Sequence, residues 1–441
     1  MHDFEKSTSY IDYLKNLLPA ILTMIFLSFY TTIDGFFVAR FVNSDALAAI
    51  NIVVPITCVI FGISVMFATG AGAFIGESLG QRNLQKANKI FSFVCVVLLV
   101  FSIIFSILGV IFVENISLWL GTTPRLMSYV VPYAIIVFVG TGPMVYKLFF
   151  EYIVRNDGNP KIGLWMSFIG LILNILLDYL FVKIFNMGTL GAGLGTLLSI
   201  TVSMIVGLVY FIKYGTIKFC KPEFNMKIFV KSCINGSSEL LTELSTGIIT
   251  FLFNIITIKY FGEDGIAAVT IIMYVYYFFS SLYSGIAVGT APIISYNLGS
   301  KNYKKIIEIL KYSFITIIIS SILITLTVFL CSNNIINIFV SQENVFNITL
   351  YGLKIFSLVF LFIGVNIFLS SYFTALGNGL VSAVISGLRS LVLVIIFILI
   401  LPMLYGVPGI WLTMPLAEAC TIIVALLFYS DNIKKVYKLY K

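Results

Sequence analysis

The sequence predicts an all-α integral membrane protein whose twelve transmembrane helices form two six-helix lobes, related by a pseudo-twofold axis along the membrane normal. Three observations lead to this fold class. The 441 residues are 60% hydrophobic and only 10% charged, and their mean hydropathy of +1.06 lies far outside the range of soluble proteins. Twelve apolar runs are each long enough to cross a bilayer. The second half of the chain repeats the first.

The spans are predicted from runs of at least about 18 apolar residues, because about 20 residues rising about 1.5 Å each cross a hydrocarbon core of about 30 Å. The first run is too long and too poorly flanked for a cleaved signal peptide, so we interpret it as a retained span. The predicted spans are 17–42, 46–76, 90–113, 128–152, 162–183, 190–212, 230–258, 265–293, 306–331, 350–375, 380–403 and 408–430.

The lysines and arginines predict the orientation of the spans. If the N-terminus is cytoplasmic, the inner segments hold 20 of the 27 basic residues and the outer loops hold five. Basic residues concentrate in cytoplasmic loops of membrane proteins. We therefore expect a multi-pass protein of the plasma (inner) membrane of a prokaryote, with both termini cytoplasmic. Because the basic residues lie in these short loops, the net charge of +8 does not indicate a nucleic-acid partner.

An internal repeat divides the chain at its midpoint. A shift of 219 residues aligns 39–91 with 258–310 without a gap, and it pairs Gly80 with Gly299 and Asn83 with Asn302. Six spans in each half mean that both halves enter the membrane in the same sense, as in transporters built from parallel repeats. We predict an N-terminal lobe at 1–213, a cytoplasmic linker at 214–229 and a C-terminal lobe at 230–441.

Polar residues inside the spans are the candidate functional residues. Asn174 and Asp178 are four residues apart in span 5 and therefore share one helix face. Counting along the helices places Asp34 of span 1 and Asp178 about 25 Å from the cytoplasmic face, with Thr196 of span 6 also in the outer half. Their oxygens are hard donors that suit alkali cations or protons. The alternative is a hydrogen-bonded structural cluster.

A second set of candidates lies in spans 7 and 8. Glu239 and Glu243 share a face of span 7, and Tyr274 and Tyr277 lie in span 8. Acidic and aromatic side chains both attract organic cations, an aromatic ring by about 0.5 to 2 kcal/mol. These four residues could line a substrate cavity. Glutamates that reach the inner mouth of the membrane, and tyrosines that face lipid, are the open alternatives.

Charged residues near the middle of spans 11 and 12 predict an ion pair. Arg389 and Glu418 each lie about ten residues into their spans, and a lone arginine at this depth would be costly. We expect the two to pair and to stabilise the lobe structurally.

Other chemistry is disfavoured by composition. His2 is the only histidine, and the six cysteines are scattered without CxxC spacing, so the sequence predicts no His- or Cys-based catalysis, disulfide framework or transition-metal site. We expect no enzyme activity and no cofactor, and no metal beyond a possible Na⁺.

Several motifs resemble the multidrug and toxic compound extrusion (MATE) family. These are TTIDGFFVARFVNSDALAAINIVVP and GAGAFIGESLGQRNLQKA in spans 1 and 2, RNDGNP at 155–160, NILLD at 174–178 and GTLGAGLGT at 188–196. The resemblance extends over essentially the whole chain. It implies twelve helices in two lobes and export of cationic or amphipathic compounds, driven by inward movement of Na⁺ or H⁺.

The resemblance also assigns roles to residues. The family's aspartate in helix 1 falls on Asp34, its Asn-x-x-x-Asp pair in helix 5 on Asn174 and Asp178, and its threonine in helix 6 on Thr196. These four residues are therefore the expected coupling-ion site. Acidic residues that some branches place in helices 7 and 10 are not matched one for one here, because span 10 has no carboxylate.

The functional prediction is a Na⁺- or H⁺-coupled antiporter that exports small organic cations or amphipathic drugs by alternating access, acting as a monomer in contact with membrane lipid. Two alternatives remain. A flippase for a lipid-linked saccharide would need a wide, cationic central cavity. An integral-membrane transferase would need paired carboxylates near a membrane face to hold Mg²⁺, and the chain has no DDxxD-like run.

Overall fold

Long helices account for nearly all of the chain. The computed structural model describes residue 4, residues 9–340 and residues 342–440, except for the side chains of 30–32, 34–36, 39, 44 and 440. Within these residues there is no β-strand. Eleven helices are long and apolar enough to span a membrane, and a bent pair raises this to twelve. The predicted all-α membrane fold is confirmed.

The described residues of the N-terminal lobe form eight α-helices and two π-helical segments. Span 4 is formed by two helices that meet at an angle of 50° around Gly140. The helices are α1 (Tyr10–Phe41), α2 (Ser44–Gly80), α3 (Leu84–Ile111), α4 (Val113–Trp119), α5 (Met127–Val139), α6 (Thr141–Asn156), α7 (Pro160–Asp178) and α8 (Gly188–Val209), with π-helical turns at Tyr179–Ile184 and Tyr210–Tyr214.

The C-terminal lobe repeats this order. Its helices are α9 (Met226–Phe261), α10 (Glu263–Gly299), α11 (Tyr303–Leu330), α12 (Ser332–Phe339), α13 (Glu343–Phe356), α14 (Phe360–Ala375), α15 (Gly379–Gly387), α16 (Leu393–Tyr405) and α17 (Val407–Tyr440), with a 3₁₀ turn at Ser357–Val359 and a π-helical turn at Leu388–Val392.

Backbone details at equivalent positions reproduce the sequence repeat. Arg82 and Lys301, 219 residues apart, both adopt positive φ angles, of 58° and 57°. The next residue in each half, Asn83 or Asn302, accepts a hydrogen bond from a backbone amide of the following helix and so caps its N-terminus. The short helices α4 and α12 also begin 219 residues apart. The two halves therefore share helix order and turn geometry.

The lobes meet closely at one end of the bundle, which we call the linker side because it carries the 215–225 connection. A Cβ atom at Gly80 would collide with the Tyr296 carbonyl, and one at Gly299 would collide with the Glu77 carbonyl. The ends of α2 and α10 therefore cross in backbone contact, which only glycine permits. A similar approach joins α2 to α9, where a Cβ at Gly70 would collide with the Ser232 carbonyl.

The connection between the lobes is bonded to the N-terminal lobe. The buried carboxylate of Asp157 accepts hydrogen bonds from the Tyr210 hydroxyl at 2.6 Å and from the amides of Thr216 and Ile217 at 2.9 and 3.0 Å. Burial raises the pKa of Asp157, and these hydrogen bonds partly offset that rise. The linker begins at 215 and α9 begins at Met226, so α9 starts four residues earlier than the predicted lobe.

Candidate functional site

Three of the four residues predicted to bind the coupling ion meet inside the N-terminal lobe. Helix α7 places Asn174 and Asp178 one turn apart, and both are fully buried. Thr196 lies on the adjacent helix α8 and is 8% exposed. The Asn174 Nδ2 atom donates a hydrogen bond to Thr196 Oγ1 at 3.3 Å. Helices α7 and α8 thus bring three of the four predicted ligands into one region, and the ion-binding role of these residues stays a prediction.

The Asp178 carboxylate lies directly against the backbone of α8. A Cβ atom at Gly195 would collide with Asp178 Oδ1, so the close packing of α7 and α8 depends on glycine there. The π-helical turn Tyr179–Ile184 begins at the next residue. Short π-helical turns are frequent at functional sites. An amide, a hydroxyl and a carboxylate at this point are suited to a hard cation or a proton.

Asp34 lies within helix α1, but its side chain is outside the described residues. Its role as the fourth member of the coupling-ion site therefore stays a prediction.

A second polar region lies between the lobes. Glu239 and Glu243 of α9 are half-buried although they lie deep in the bundle. The Glu243 Cβ is 3.4 Å from the position that a Cβ would take at Gly62 of α2. Both glutamates are electrostatic neighbours of Tyr152 on α6. They therefore lie on the face of α9 that meets α2 and α6 of the N-terminal lobe, and we call this inter-lobe region the cleft.

The two tyrosines predicted to line a cavity differ in their surroundings. Tyr277 is an electrostatic neighbour of Glu243 and of Cys58 on α2, which places it at the same cleft. Tyr274 is 47% exposed, and its ring stacks on Phe339 at a centroid distance of 6.2 Å. That position favours a lipid-facing role for Tyr274.

The C-terminal lobe contains a buried polar triad formed by Arg389, Glu418 and Asn366. Arg389 Nε donates to Glu418 Oε1 at 3.1 Å, and the two side chains are 7% and 0% exposed. Asn366 Nδ2 donates to Glu418 Oε2 at 2.7 Å and to the Glu418 carbonyl at 2.8 Å. The two predicted partners are therefore in contact. Arg389 also lies within electrostatic range of Glu239, which connects the triad to the cleft.

The N-terminal lobe has a buried ion pair of its own. Lys147 Nζ lies 2.9 Å from Glu151 Oε2, with 5% and 0% of their side chains exposed, and Ser167 Oγ donates to the other Glu151 oxygen. The i, i+4 spacing predicts the pair. Its burial was not predicted, because the α7 side chain that completes it comes from a separate helix.

Several residues of these sites were not predicted from the sequence. Tyr152, Cys58 and Asn366 become neighbours of the acidic residues only when helices distant in sequence pack together. Asn366 could have been noticed as an amide within an apolar span, because such residues usually find a buried partner.

Two lobes of membrane-spanning helices that repeat one another, with buried polar residues in both, are typical of membrane transporters built from parallel repeats. The MatE family model matches residues 19–180 and 240–400. The chain belongs to this family of multidrug and toxic compound extrusion transporters, and it is not an enzyme.

Similar proteins agree with this assignment. The chain is 23% identical over 432 residues to the multidrug export protein MepA of Staphylococcus saprophyticus, covering 97% of this chain and 95% of the relative. It is 22% identical to MepA of Staphylococcus aureus strain bovine RF122, with the same coverage of both chains.

Solved structures share the fold. One, described as the outward-facing conformation of a multidrug resistance MATE family transporter, superposes with a TM-score of 0.92 at 19% identity, covering 99% of this chain and 98% of the other. A transporter from Pyrococcus furiosus, described as having a binding pocket of reversed polarity, gives a TM-score of 0.89 at 18% identity, with the same coverage.

Proposed function

We propose that the protein is a cation-coupled antiporter that exports cationic or amphipathic organic compounds by alternating access. The observation that carries this proposal is the separation of two polar sites. Asn174, Asp178 and Thr196 are buried inside one lobe, whereas Glu239 and Glu243 are half-buried in the cleft between lobes. An ion and an organic substrate can then act on the same lobe movement without competing for the same atoms.

The ion's role follows from linkage. A Na⁺ or H⁺ that enters from outside and binds better in one arrangement of the lobes shifts the equilibrium toward that arrangement. The membrane potential contributes about 2.3 kcal/mol per charge per 100 mV. Asp178 supplies the charge that either ion requires, and Asp34 is the expected second carboxylate. Backbone contact of α2 with α9 and α10 on the linker side supports an arrangement in which that side is closed.

The substrate class is inferred from the charge of the cleft. Glu239 and Glu243 present carboxylates near Tyr152 and Tyr277, a combination that attracts organic cations. The MepA relatives are named as multidrug export proteins, which supports drug-like substrates. We propose the linker side as cytoplasmic, with both termini there, and a monomer as the working unit.

A flippase for lipid-linked saccharides is less well supported. That function would favour a cationic cavity for a diphosphate. The deep cation Arg389 donates to Glu418, whose other carboxylate oxygen accepts a hydrogen bond from Asn366. The carboxylates of α9 are then left to set the charge of the cleft.

The test is efflux of a fluorescent organic cation from proteoliposomes with separately imposed Na⁺ and H⁺ gradients. We expect one gradient to drive transport, and we expect Asp34→Asn and Asp178→Asn each to abolish it while the protein still folds. Asp45→Asn is the matched control, because this aspartate pairs with the exposed Arg125 on the surface. Full gradient-driven activity in both site variants would refute the coupling mechanism.

A further inference from the structure

A small cavity on the linker side contains a buried arginine that the transport mechanism does not use. The cavity measures about 90 Å³ and lies where Arg155 and Gly158 of the N-terminal lobe face Gly289 and Lys305 of the C-terminal lobe. Asn16 of α1 also lines it. Both lobes therefore contribute to one enclosed space.

The Arg155 guanidinium is nearly inaccessible and lacks hydrogen-bond acceptors in the described part of the chain. The residue is 2% exposed, and none of its three guanidinium nitrogens has a hydrogen-bond partner there. Its described contact is with the Tyr152 ring, whose centroid lies 5.0 Å from Arg155 Cζ. A buried charge without a hydrogen-bonded partner is strongly disfavoured, so Arg155 requires a counter-ion.

Two acidic residues of the described part of the chain that lie near the cavity have cationic partners. Glu151 lies one turn before Arg155 but contacts Lys147 at 2.9 Å. Glu308 contacts Lys305 at 3.0 Å. The opposite charges cancel within the Lys147–Glu151 pair and within the Lys305–Glu308 pair. Of these five side chains, Arg155 is left with an uncompensated positive charge.

The geometry suits an oxyanion. Helix α7 begins at Pro160, which also lines the cavity, and its N-cap residue provides no side-chain hydrogen bond. The start of this 19-residue helix carries partial positive charge, which favours an anion, although Pro160 itself has no N–H and the Ile162 amide donates to the Asn159 carbonyl. Arginine binds phosphate through two parallel hydrogen bonds. Arg155 and the positive end of α7 therefore favour an anion in the cavity that Lys305 also lines.

We propose that this cavity binds a phosphate group, either inorganic phosphate or the phosphate of a lipid headgroup. Because the site is formed by α6 and α7 of one lobe and by α10 and α11 of the other, the bound anion stabilises the arrangement in which the linker side is closed. Binding is independent of the transport function proposed above, whereas its effect on transport rests on that function.

The test uses the full-length protein in phosphate-free maltoside micelles, with thermal unfolding as the readout. Sodium phosphate should raise the Tm above that in sodium chloride of equal ionic strength. In Arg155→Gln the apparent Kd for phosphate should rise roughly tenfold or more, because a charge-assisted hydrogen bond is lost. Without phosphate, the Tm of this variant should equal or exceed that of the wild type. Arg82→Gln, which removes an exposed arginine on the linker side, should keep the phosphate response.

Micelles that contain phosphatidylglycerol distinguish the two sources. A Tm increase only with this lipid assigns the site to lipid headgroups, and an increase with sodium phosphate alone assigns it to the free ion. If Arg155→Gln does not fold, Arg155→Lys replaces it, because lysine keeps the charge but lacks the planar guanidinium group. Native mass spectrometry of the wild type then counts bound phosphate. An equal phosphate response in wild type and Arg155→Gln overturns the proposal. Asp3 and Glu5 lie outside the described residues, but they flank in sequence Phe4, which lines the cavity. A phosphate response that appears only in the Asp3→Asn, Glu5→Gln variant also overturns the proposal, because the protein's own carboxylates would then occupy the site.

Discussion

Removing one member of the Arg389–Glu418 pair should destabilise the protein much more than removing both. The Arg389 Nε and Glu418 Oε1 atoms are 3.1 Å apart, a separation worth about 5 kcal/mol of Coulomb energy at an effective dielectric constant of about 20. Asn366 holds the second carboxylate oxygen. Desolvation of both charges offsets much of this attraction, so the pair as a whole contributes little net stability. A single replacement, however, leaves an uncompensated buried charge.

We therefore expect Arg389→Met and Glu418→Gln each to lower the free energy of unfolding by about 3 to 5 kcal/mol, and the double variant to lose less than either single variant. Glutamine keeps an oxygen for Asn366. Unfolding can be followed in mixed micelles with increasing denaturing detergent, by the fluorescence of the buried Trp411 in the same lobe.

The exposed pair formed by Arg125 and Asp45 provides the matched control. Its side chains are 77% and 26% exposed, so its removal should cost less than about 1 kcal/mol. The pair does not compensate a buried charge if Arg389→Met and Glu418→Gln each change the free energy of unfolding by under about 0.5 kcal/mol, or if their effects simply add in the double variant.

Three further substitutions test the other sites. Gly195→Ala should displace the Asp178 carboxylate and reduce ion-driven efflux in proteoliposomes, whereas Gly247→Ala, where a Cβ meets open space, should retain it; equal activity would contradict the assigned packing. Asp157→Asn should lower the free energy of unfolding by about 1 to 3 kcal/mol, because a linker amide loses its acceptor, and an unchanged unfolding midpoint would contradict this. Glu243→Gln should raise the KM for a cationic dye more than for a neutral substrate, and equal effects on both would remove charge as the basis of selection.

The sequence was sufficient for the fold because a bilayer restricts the chain to few structures. Backbone N–H and C=O groups in the hydrocarbon core must be hydrogen-bonded within a helix, so the length and hydropathy of apolar runs predict the spans. The 219-residue repeat predicts two lobes, and equivalent turns at Arg82 and Lys301 agree with it. The break in span 4 at Gly140 was not predicted, because the apolar composition continues through it.

The candidate sites were predictable from helix periodicity and from depth in the membrane. The spacing of Asn174 and Asp178 predicts a shared face, and depth alone suggested that Arg389 and Glu418 pair. Residue counting placed Asp34 and Thr196 in the same outer half, and the resemblance to a family assigned them to the coupling-ion site.

The sequence by itself determined which residues enter the membrane and on which helix faces they lie, because hydropathy and helical periodicity are local properties. Only the tertiary structure decided which polar groups share a space. It placed Tyr152 opposite Glu243, Asn366 on Glu418 and Arg155 in a cavity with Lys305. These contacts depend on how helices far apart in sequence cross, and that crossing is set by close packing of glycine-rich surfaces such as those of α2 and α10.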